Sequence, residues 1–592
     1  MGKPLVEQFA TIPEAIRYHA QCDLGSTLSI VDQESEPVSY SALWTRILCS
    51  AHNLRDAGVR AGHRVAVDMA TSVDIVAVVV AIWAIGAVVV PLRGVTRLQP
   101  NSLDFRRGVQ ALQFSRSLWC VAPDETMTDY LNLVQLATGP GRQTPTVLPI
   151  SRLGYDSGRC IADEPPSGTP TQPALIQLTS GSLSEPRGIV LTHRNITANV
   201  SGAADRTSIN SDSRGVWWAP LSHDMGLIAC LAICLYRGAS IRMMSPWMFA
   251  HDPLRWIVEL AKFRATHTAA PPFAYRWVAK LARLAADRLD GVDLADLLVS
   301  MVGAERVDPD VCQEFETVLS KHGLRRNVVL PAYGLAENTA GVALREPLAA
   351  TSVRAFNRHD LIGGRLQLAR TPADPTETIR LVGHGPPIAG TRVRIGTSHA
   401  SADSSLVGEI QVGGESAARW LIDESGQRQL VDRDGFVSTG DMGALIDGQV
   451  YVVGRKREMF KRAGLIYAPT DIESIILAQE LPDIADVAAI GVQVAETPDE
   501  SLLIFLEFSS REVDVLHAAK LAAETRMAVL RECSLPIHAI YAVPFRALPR
   551  TPSGKIRRIH LAESYESGSL PYSLVDGVPP EVRSNETDTR TR

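Results

Sequence analysis

Nowhere among its eight cysteines does the chain carry the paired C-x-x-C spacing that thiolate metal sites and redox pairs use. Cys22, Cys49, Cys120, Cys160, Cys230, Cys234, Cys312 and Cys533 are scattered, and are expected to be reduced, buried thiols. An excess of positive charge is also missing. Lys+Arg total 59 against Asp+Glu 65, a net charge of −6, so no global field draws the protein to nucleic acid or anionic lipid. There is no internal repeat and no low-complexity tract. The first residues, MGKPLVEQFATIPEAIRYHA, have no apolar stretch followed by a small-residue cleavage site, and Val6 breaks the myristoylation pattern. A cytoplasmic location is expected, without stable membrane insertion.

Long apolar runs are scarce, with one exception. Ile75–Leu92 (IVAVVVAIWAIGAVVVPL) has the length and apolarity of a membrane span. Gly86 and Pro91 divide it, however, and Asp74 stands at its entrance. The β-branched Val88-Val89-Val90 suits a buried parallel strand after a buried helix, and the strand-like His63–Met69 precedes it as a βαβ unit requires. Helix plus strand is the expectation.

What is present is ample material for folding. The 592 residues exceed one domain several times over, and 45% hydrophobic against 21% charged residues is an ordinary globular balance. Helical periodicity alternates with short apolar strands such as Gly215–Leu221, Ser240–Ser245 and Asp296–Ala304, the texture of a layered α/β portion. Ala355–Pro387 is richer in Pro, Gly and charge and reads as loop or insertion. Near Gly435–Arg455 the pattern turns to β, with Asp447-Gly448 as a hairpin turn. A smaller α+β unit is expected to follow. It would comprise a capping box at Thr470–Glu473, the strands DVAAIGV and LLIFLEF, a helix near Val513–Arg531 and the strand IHAIYAV. Residues after about Tyr565 are polar and expected to be an unstructured tail.

The segment Leu178-Thr179-Ser180-Gly181-Ser182-Leu183-Ser184-Glu185-Pro186-Arg187-Gly188 interleaves hydroxyls with glycines and ends on a cation. Such a segment can wrap polyphosphate oxygens; taken alone it is equally a surface loop. It is not a Walker A loop, and the late Gly554-Lys555 has Pro549 where that motif needs its first glycine.

Five further segments follow in order: Pro220–Ile228 (PLSHDMGLI), Ala332–Asn338 (AYGLAEN), Ser438–Gly443 (STGDMG), Val453–Gly464 (VGRKREMFKRAG) and Arg550–Arg558 (RTPSGKIRR). Together the six resemble the signature segments of the adenylate-forming superfamily. Gly303-Ala304-Glu305, the THRN at Thr192–Asn195 and the turn Gly385–Gly390 make the fatty acyl-AMP ligases the most similar branch.

The resemblance implies a large multi-subdomain α/β portion over residues 1–454 with a β-rich subdomain and a family insertion at 355–387, a mobile α+β lid over 455–565, and a tail over 566–592. It implies ATP-dependent activation of a fatty or fatty-like acid to acyl-AMP and pyrophosphate, then transfer to the phosphopantetheine thiol of an acyl carrier protein. A CoA ligase and a nucleotide-binding pseudoenzyme are the alternatives. By resemblance Lys555 bridges the carboxylate and α-phosphate, Glu337 holds Mg²⁺, and His223 borders the acyl carboxylate. Thr179, Ser180, Gly181, Ser182, Ser184 and Arg187 would hold phosphates. Tyr333 and Gly334, with Gly303, Ala304 and Glu305, would frame the adenine. Asp441 would take the ribose hydroxyls, assisted by Arg455. Two positions depart from the family pattern: Leu183 replaces a usual Thr and Arg187 a usual Lys. Arg keeps the charge, whereas Leu183 forfeits a hydrogen bond to phosphate of about 1.5–3 kcal/mol.

Overall fold

The computed structural model describes residues 9–577 apart from 33–35, 95–101, 140–142, 155–167, 180–186, 358–359, 362–364, 370–377, 397–405, 463–464, 495–499 and 552–553. Two eight-stranded sheets dominate the first two thirds. In one, the parallel strands Arg64–Met69, Val88–Arg93, Trp119–Ala122 and Thr146–Pro149 lie beside Pro173–Thr179 and Arg187–Thr192. In the other, Arg214–Trp217, Ser240–Met243, His267–Ala270, Val299–Val302 and Val329–Gly334 form the parallel centre. A hydrophobic cluster spanning both sheets joins them.

The ambiguous apolar run resolves as helix Val73–Ala84 followed by strand Val88–Arg93, which pairs in parallel with Arg64–Met69. Ser72 caps the helix, accepting from the Ile75 amide, and Gly86 turns the chain at φ +73°. All twelve helical residues but Asp74 are buried, because the segment sits between layers rather than in lipid. Among the described residues no helix is long and apolar enough to cross a membrane.

A four-stranded antiparallel sheet follows, with Phe436–Ile446 and Gln449–Arg455 joined at Asp447-Gly448, both residues at positive φ (+50° and +74°) as a tight hairpin turn demands. Beyond it, two hydrophobic clusters are built wholly from residues between Phe460 and Val575, around a sheet of Ile484–Val492, Ser501–Phe508, Ile537–Val543 and Ser573–Gly577. Helices Pro469–Leu477, Val515–Cys533 and Arg558–Glu566 accompany this sheet.

Several expectations need correction. The Ala355–Pro387 segment is not simply loop: Val353–Asn357 and Thr378–Val382 pair as an antiparallel ribbon. Its Phe356, Ile379 and Leu381 pack on Tyr451 and Val453, a partner nearly a hundred residues away that local composition does not reveal. Thr470 does not cap its helix. Ala468 is the N-cap and Pro469 takes the first turn, where a missing N–H costs nothing, which leaves Thr470 and Glu473 inside. The expected tail contains a strand: Ser573–Gly577 pairs antiparallel at the edge with Ile537–Val543. Of the cysteines, Cys120, Cys230, Cys234, Cys312 and Cys533 are buried and outside any disulfide, but Cys22 is exposed and Cys49 is disulfide-bonded. Cys160 lies outside the described residues.

Candidate active site

A cavity of about 510 Å³ opens where the strand ends of both large sheets, the hairpin sheet and the last unit meet. It gathers Thr179, His223, Gly303, Ala304, Glu305, Tyr333, Gly334, Glu337, Asp441, Arg455 and Lys555 from segments nearly four hundred positions apart. Arg187 is not among its lining residues; it pairs across from Thr179 in the antiparallel strands. Ser180, Gly181, Ser182 and Ser184, with Leu183, lie outside the described residues.

Tyr333 ends the strand Val329–Gly334 and donates its hydroxyl proton to Asp441 Oδ2 at 2.9 Å. Across the hairpin register Arg455 Nε meets Asp441 Oδ1 at 2.8 Å, so both carboxylate oxygens are held. Burial pushes the Asp441 pKa up, against the pull of Arg455, Tyr333 and Lys555. The backbone here is tight. A Cβ on Gly334 would meet Ala340 O at 2.2 Å, and one on Gly303 would meet Ala332 O at 2.7 Å. Ala304 itself adopts φ +69°, which turns the chain into the cavity wall.

Glu337 lies in a single turn of 3₁₀ helix, Ala336–Asn338, pinned by Asn338 Nδ2 donating to Gly341 O at 2.7 Å and Thr391 Oγ1 at 2.9 Å. Its half-buried carboxyl has a raised pKa, caused first by burial. Glu305 is likewise raised by burial, with Lys555 and Arg558 opposing.

His223 stands before the widened π-type helix Met225–Ala232, its Nδ1 2.5 Å from Asp224 Oδ1. Burial works against the Asp224 charge, but the His223 imidazole, Lys555 and the Met225 amide outweigh it, and the pKa is lowered.

Lys555 sits on a turn in which its amide donates to Thr551 Oγ1 at 3.1 Å and its carbonyl accepts from the Thr551 amide at 2.7 Å. Two arginines fix that turn. Arg550 reaches Asp486 at 2.7 Å, Glu507 at 2.9 Å and the Gly554 carbonyl at 3.1 Å. Arg558 is clamped by Glu473 at 2.7 Å and Glu458 at 3.1 Å. The turn rests on the large portion through Gly554, whose added Cβ would lie 3.1 Å from the Phe273 ring. The ammonium of Lys555 has no ion pair among the described residues, yet its charge bears on Asp224, Glu305 and Asp441.

Sequence reasoning gave no site role to Asp224 or Arg306, and read Glu473 only as part of a capping box. Asp224 was visible only as the neighbour of His223. Arg306 Nη1 pairs with Asp471 and reaches Thr470 Oγ1 at 3.3 Å, while Nη2 donates to the Arg380 carbonyl at 3.4 Å. No spacing announces such a three-way contact, because its members are far apart in sequence.

Aromatic, carboxylate and lysine side chains thus converge in one cavity at the strand ends. The AMP-binding enzyme family matches residues 19–420, and the chain belongs to that family. It is similar to the medium-chain-fatty-acid acyl-carrier-protein ligase JamA of Moorena producens, 30% identical over 408 residues, covering 67% of this chain and 68% of that protein. It is 31% identical over 454 residues to the long-chain-fatty-acid–AMP ligase FadD26 of Mycobacterium marinum, covering 72% and 75%. A solved chain from work on fatty acyl-adenylate ligases of E. coli and L. pneumophila superposes with TM-score 0.81 at 25% identity, over 95% of this chain and 99% of the other.

Proposed function

We propose that the chain activates a medium- or long-chain apolar carboxylic acid. A carboxylate oxygen attacks the α-phosphorus of ATP, the bond from that phosphorus to the bridging oxygen breaks, and acyl-AMP and pyrophosphate form. One observation carries this reading: Lys555, from the last unit, enters the cavity of the large portion without an ion pair of its own among the described residues and bears on three carboxyl groups there. Phosphoryl transfer needs positioned positive charge more than an acid–base pair, since the pentavalent phosphorus and its leaving group accumulate negative charge. Lys555 supplies it.

The other roles follow from place. Tyr333 offers a face to adenine, and Asp441, held by Arg455, accepts from ribose hydroxyls. His223, fixed by Asp224, lies at the acid's carboxylate, with Val200, Ile233, Ala269, Met301 and Leu344 lining an apolar region of the same cavity that suits a hydrocarbon chain. Magnesium fits this donor set. Glu337 is a half-buried carboxylate that accepts no hydrogen bond from another side chain among the described residues, and one carboxylate plus phosphate oxygens is the usual mode for that ion. When bound, it would neutralise polyphosphate charge.

Residues 1–454 and 455–565 are read as body and lid, the lid carrying Lys555 in and shedding water from the site. Transfer to a carrier-protein phosphopantetheine is favoured over CoA. The ribbon Val353–Val382 touches Arg306, which also grips the lid helix, and a ribbon so placed resists lid rotation. The name of the JamA relative points the same way.

The test is ATP–pyrophosphate exchange across a panel of acids, followed by addition of holo carrier protein or CoA. Exchange with fatty acids and acyl loading of the carrier are expected; mass spectrometry of the purified protein should find a bound acyl-adenylate. Efficient CoA loading favours the CoA-ligase alternative, and no exchange with any acid favours the pseudoenzyme.

A further inference from the structure

Three arginines gather at one end of the cavity without a role in the reading above. Arg93 closes the strand Val88–Arg93, Arg107 lies on helix Leu103–Ser115, and Arg557 comes two residues after Lys555. All three line the cavity together with Thr179. The strands Val88–Arg93 and Pro173–Thr179 run parallel with Val89 opposite Leu175, so Arg93 and Thr179 finish at the same sheet edge.

Charge at this edge is unbalanced. Asp104, on the same helix as Arg107, already pairs with Arg93 at 2.8 Å. Among the described residues neither Arg107 nor Arg557 has a side-chain hydrogen bond or ion pair, although both are half-buried. Burial first, and then the Arg557 charge, push the Arg107 guanidinium below its usual range, with Asp104 opposing. Two guanidiniums held near one another repel; a polyanion between them turns repulsion into paired, charge-assisted hydrogen bonds.

We propose that Arg107, from the body, and Arg557, from the lid, together bind the diphosphate that leaves ATP. The inference rests on the adenylation reading and adds to it the residues that receive the leaving group. A phosphopantetheine phosphate offers similar chemistry, but the placement in one cavity with Thr179 and Lys555 favours diphosphate.

The test titrates inorganic pyrophosphate into the full chain by calorimetry. Arg107→Gln and Arg557→Gln are each expected to raise its Kd roughly tenfold or more, the loss of one charged hydrogen bond. Arg107→Lys, with charge but no fork, should recover part of the affinity. The Arg107→Gln protein alone should melt no lower than wild type, since the side chain it replaces makes no hydrogen bond or ion pair among the described residues, while the rise in Tm caused by pyrophosphate is lost. A merely structural arginine gives a lower Tm with pyrophosphate binding intact, and that result overturns the proposal. So does unchanged affinity in both Gln variants, absence of pyrophosphate binding by wild type, or weakened binding of phosphopantetheine with pyrophosphate unaffected. In exchange assays the KM for pyrophosphate should rise about tenfold in Arg107→Gln and the KM for the acid should not move. Failure of wild type to exchange with any acid would sink the adenylation reading instead, and calorimetry would still decide the arginine pair.

Discussion

At the scale of single residues, the proposed chemistry depends on charges that have no ion pair among the described residues. Lys555 is the clearest case: an ammonium in a cavity with an unmatched charge is costly to place and useful only when negative charge develops beside it. Lys555→Ala is therefore expected to cut acyl-AMP formation by about 10²–10³-fold, the usual loss on deleting one transition-state donor. Its melting temperature should stay near that of wild type, because no ion pair among the described residues is broken. Timed pyrophosphate release and a thermal melt check both halves. Arg558 is the opposite kind of cation, engaged by Glu473 and Glu458, and its work is to shape the turn that presents Lys555. The sequence showed the SGK turn and its flanking arginines, but that Arg558 is the clamped one followed only from where Glu473 and Glu458 fold to.

At the scale of elements, local rules held where the contact is local. The Asp447-Gly448 turn and the capping box Thr192–Asn195, observed with both reciprocal hydrogen bonds, need nothing beyond their own few residues. They failed for the ribbon Val353–Val382 and the edge strand Ser573–Gly577, whose partners are distant. The π-type helix after His223 also escapes local reading. Gly226 is required there, since a Cβ would meet Pro220 O at 2.1 Å and Ala219 O at 2.7 Å. Gly226→Ala is expected to destabilise the protein by about 1–3 kcal/mol through overpacking. It should also displace His223, which sits in the same turn. The denaturant midpoint measures the first effect, and a raised KM for the acid the second.

At the scale of the whole molecule, the last unit has its own core, and ion pairs tie it to the body. Arg306–Asp471 is the most buried of these ion pairs, at 12% and 11% side-chain exposure, while Arg283–Glu480 is open at 49% and 77%. Arg306→Gln should loosen the lid, seen as faster deuterium uptake over residues 469–477 with the body unchanged. Unaltered uptake would show that the pair does not restrain the lid. The body has a pH limit of its own. His193, His267 and His384 are buried with pKa values lowered to about 4 by desolvation. They stay neutral when folded but take up protons near pH 6.5 when unfolded, so the unfolded state binds more protons between pH 6.5 and about 4. Stability is then full above pH 6.5 and lost as pH falls towards 4. Thermal melts from pH 7.5 to 4.5 should show that decline, and replacing His267 by Gln should reduce its slope.

The sequence by itself determined the layered α/β character, the helix-then-strand fate of the apolar run, and a set of candidate residues of which Tyr333, Glu337, Asp441 and Lys555, among others, line the cavity. Those features depend on periodicity, turn chemistry and short ordered segments, which are properties of neighbouring residues. Tertiary structure alone decided that Arg187 stands outside the cavity lining, that Arg306 bonds both to the Arg380 carbonyl and to Asp471 on helix Pro469–Leu477, and that Arg107 and Arg557 line one cavity. Such facts depend on which distant groups come within a few ångströms and which charges burial leaves without a counterion, and only the closed fold fixes that.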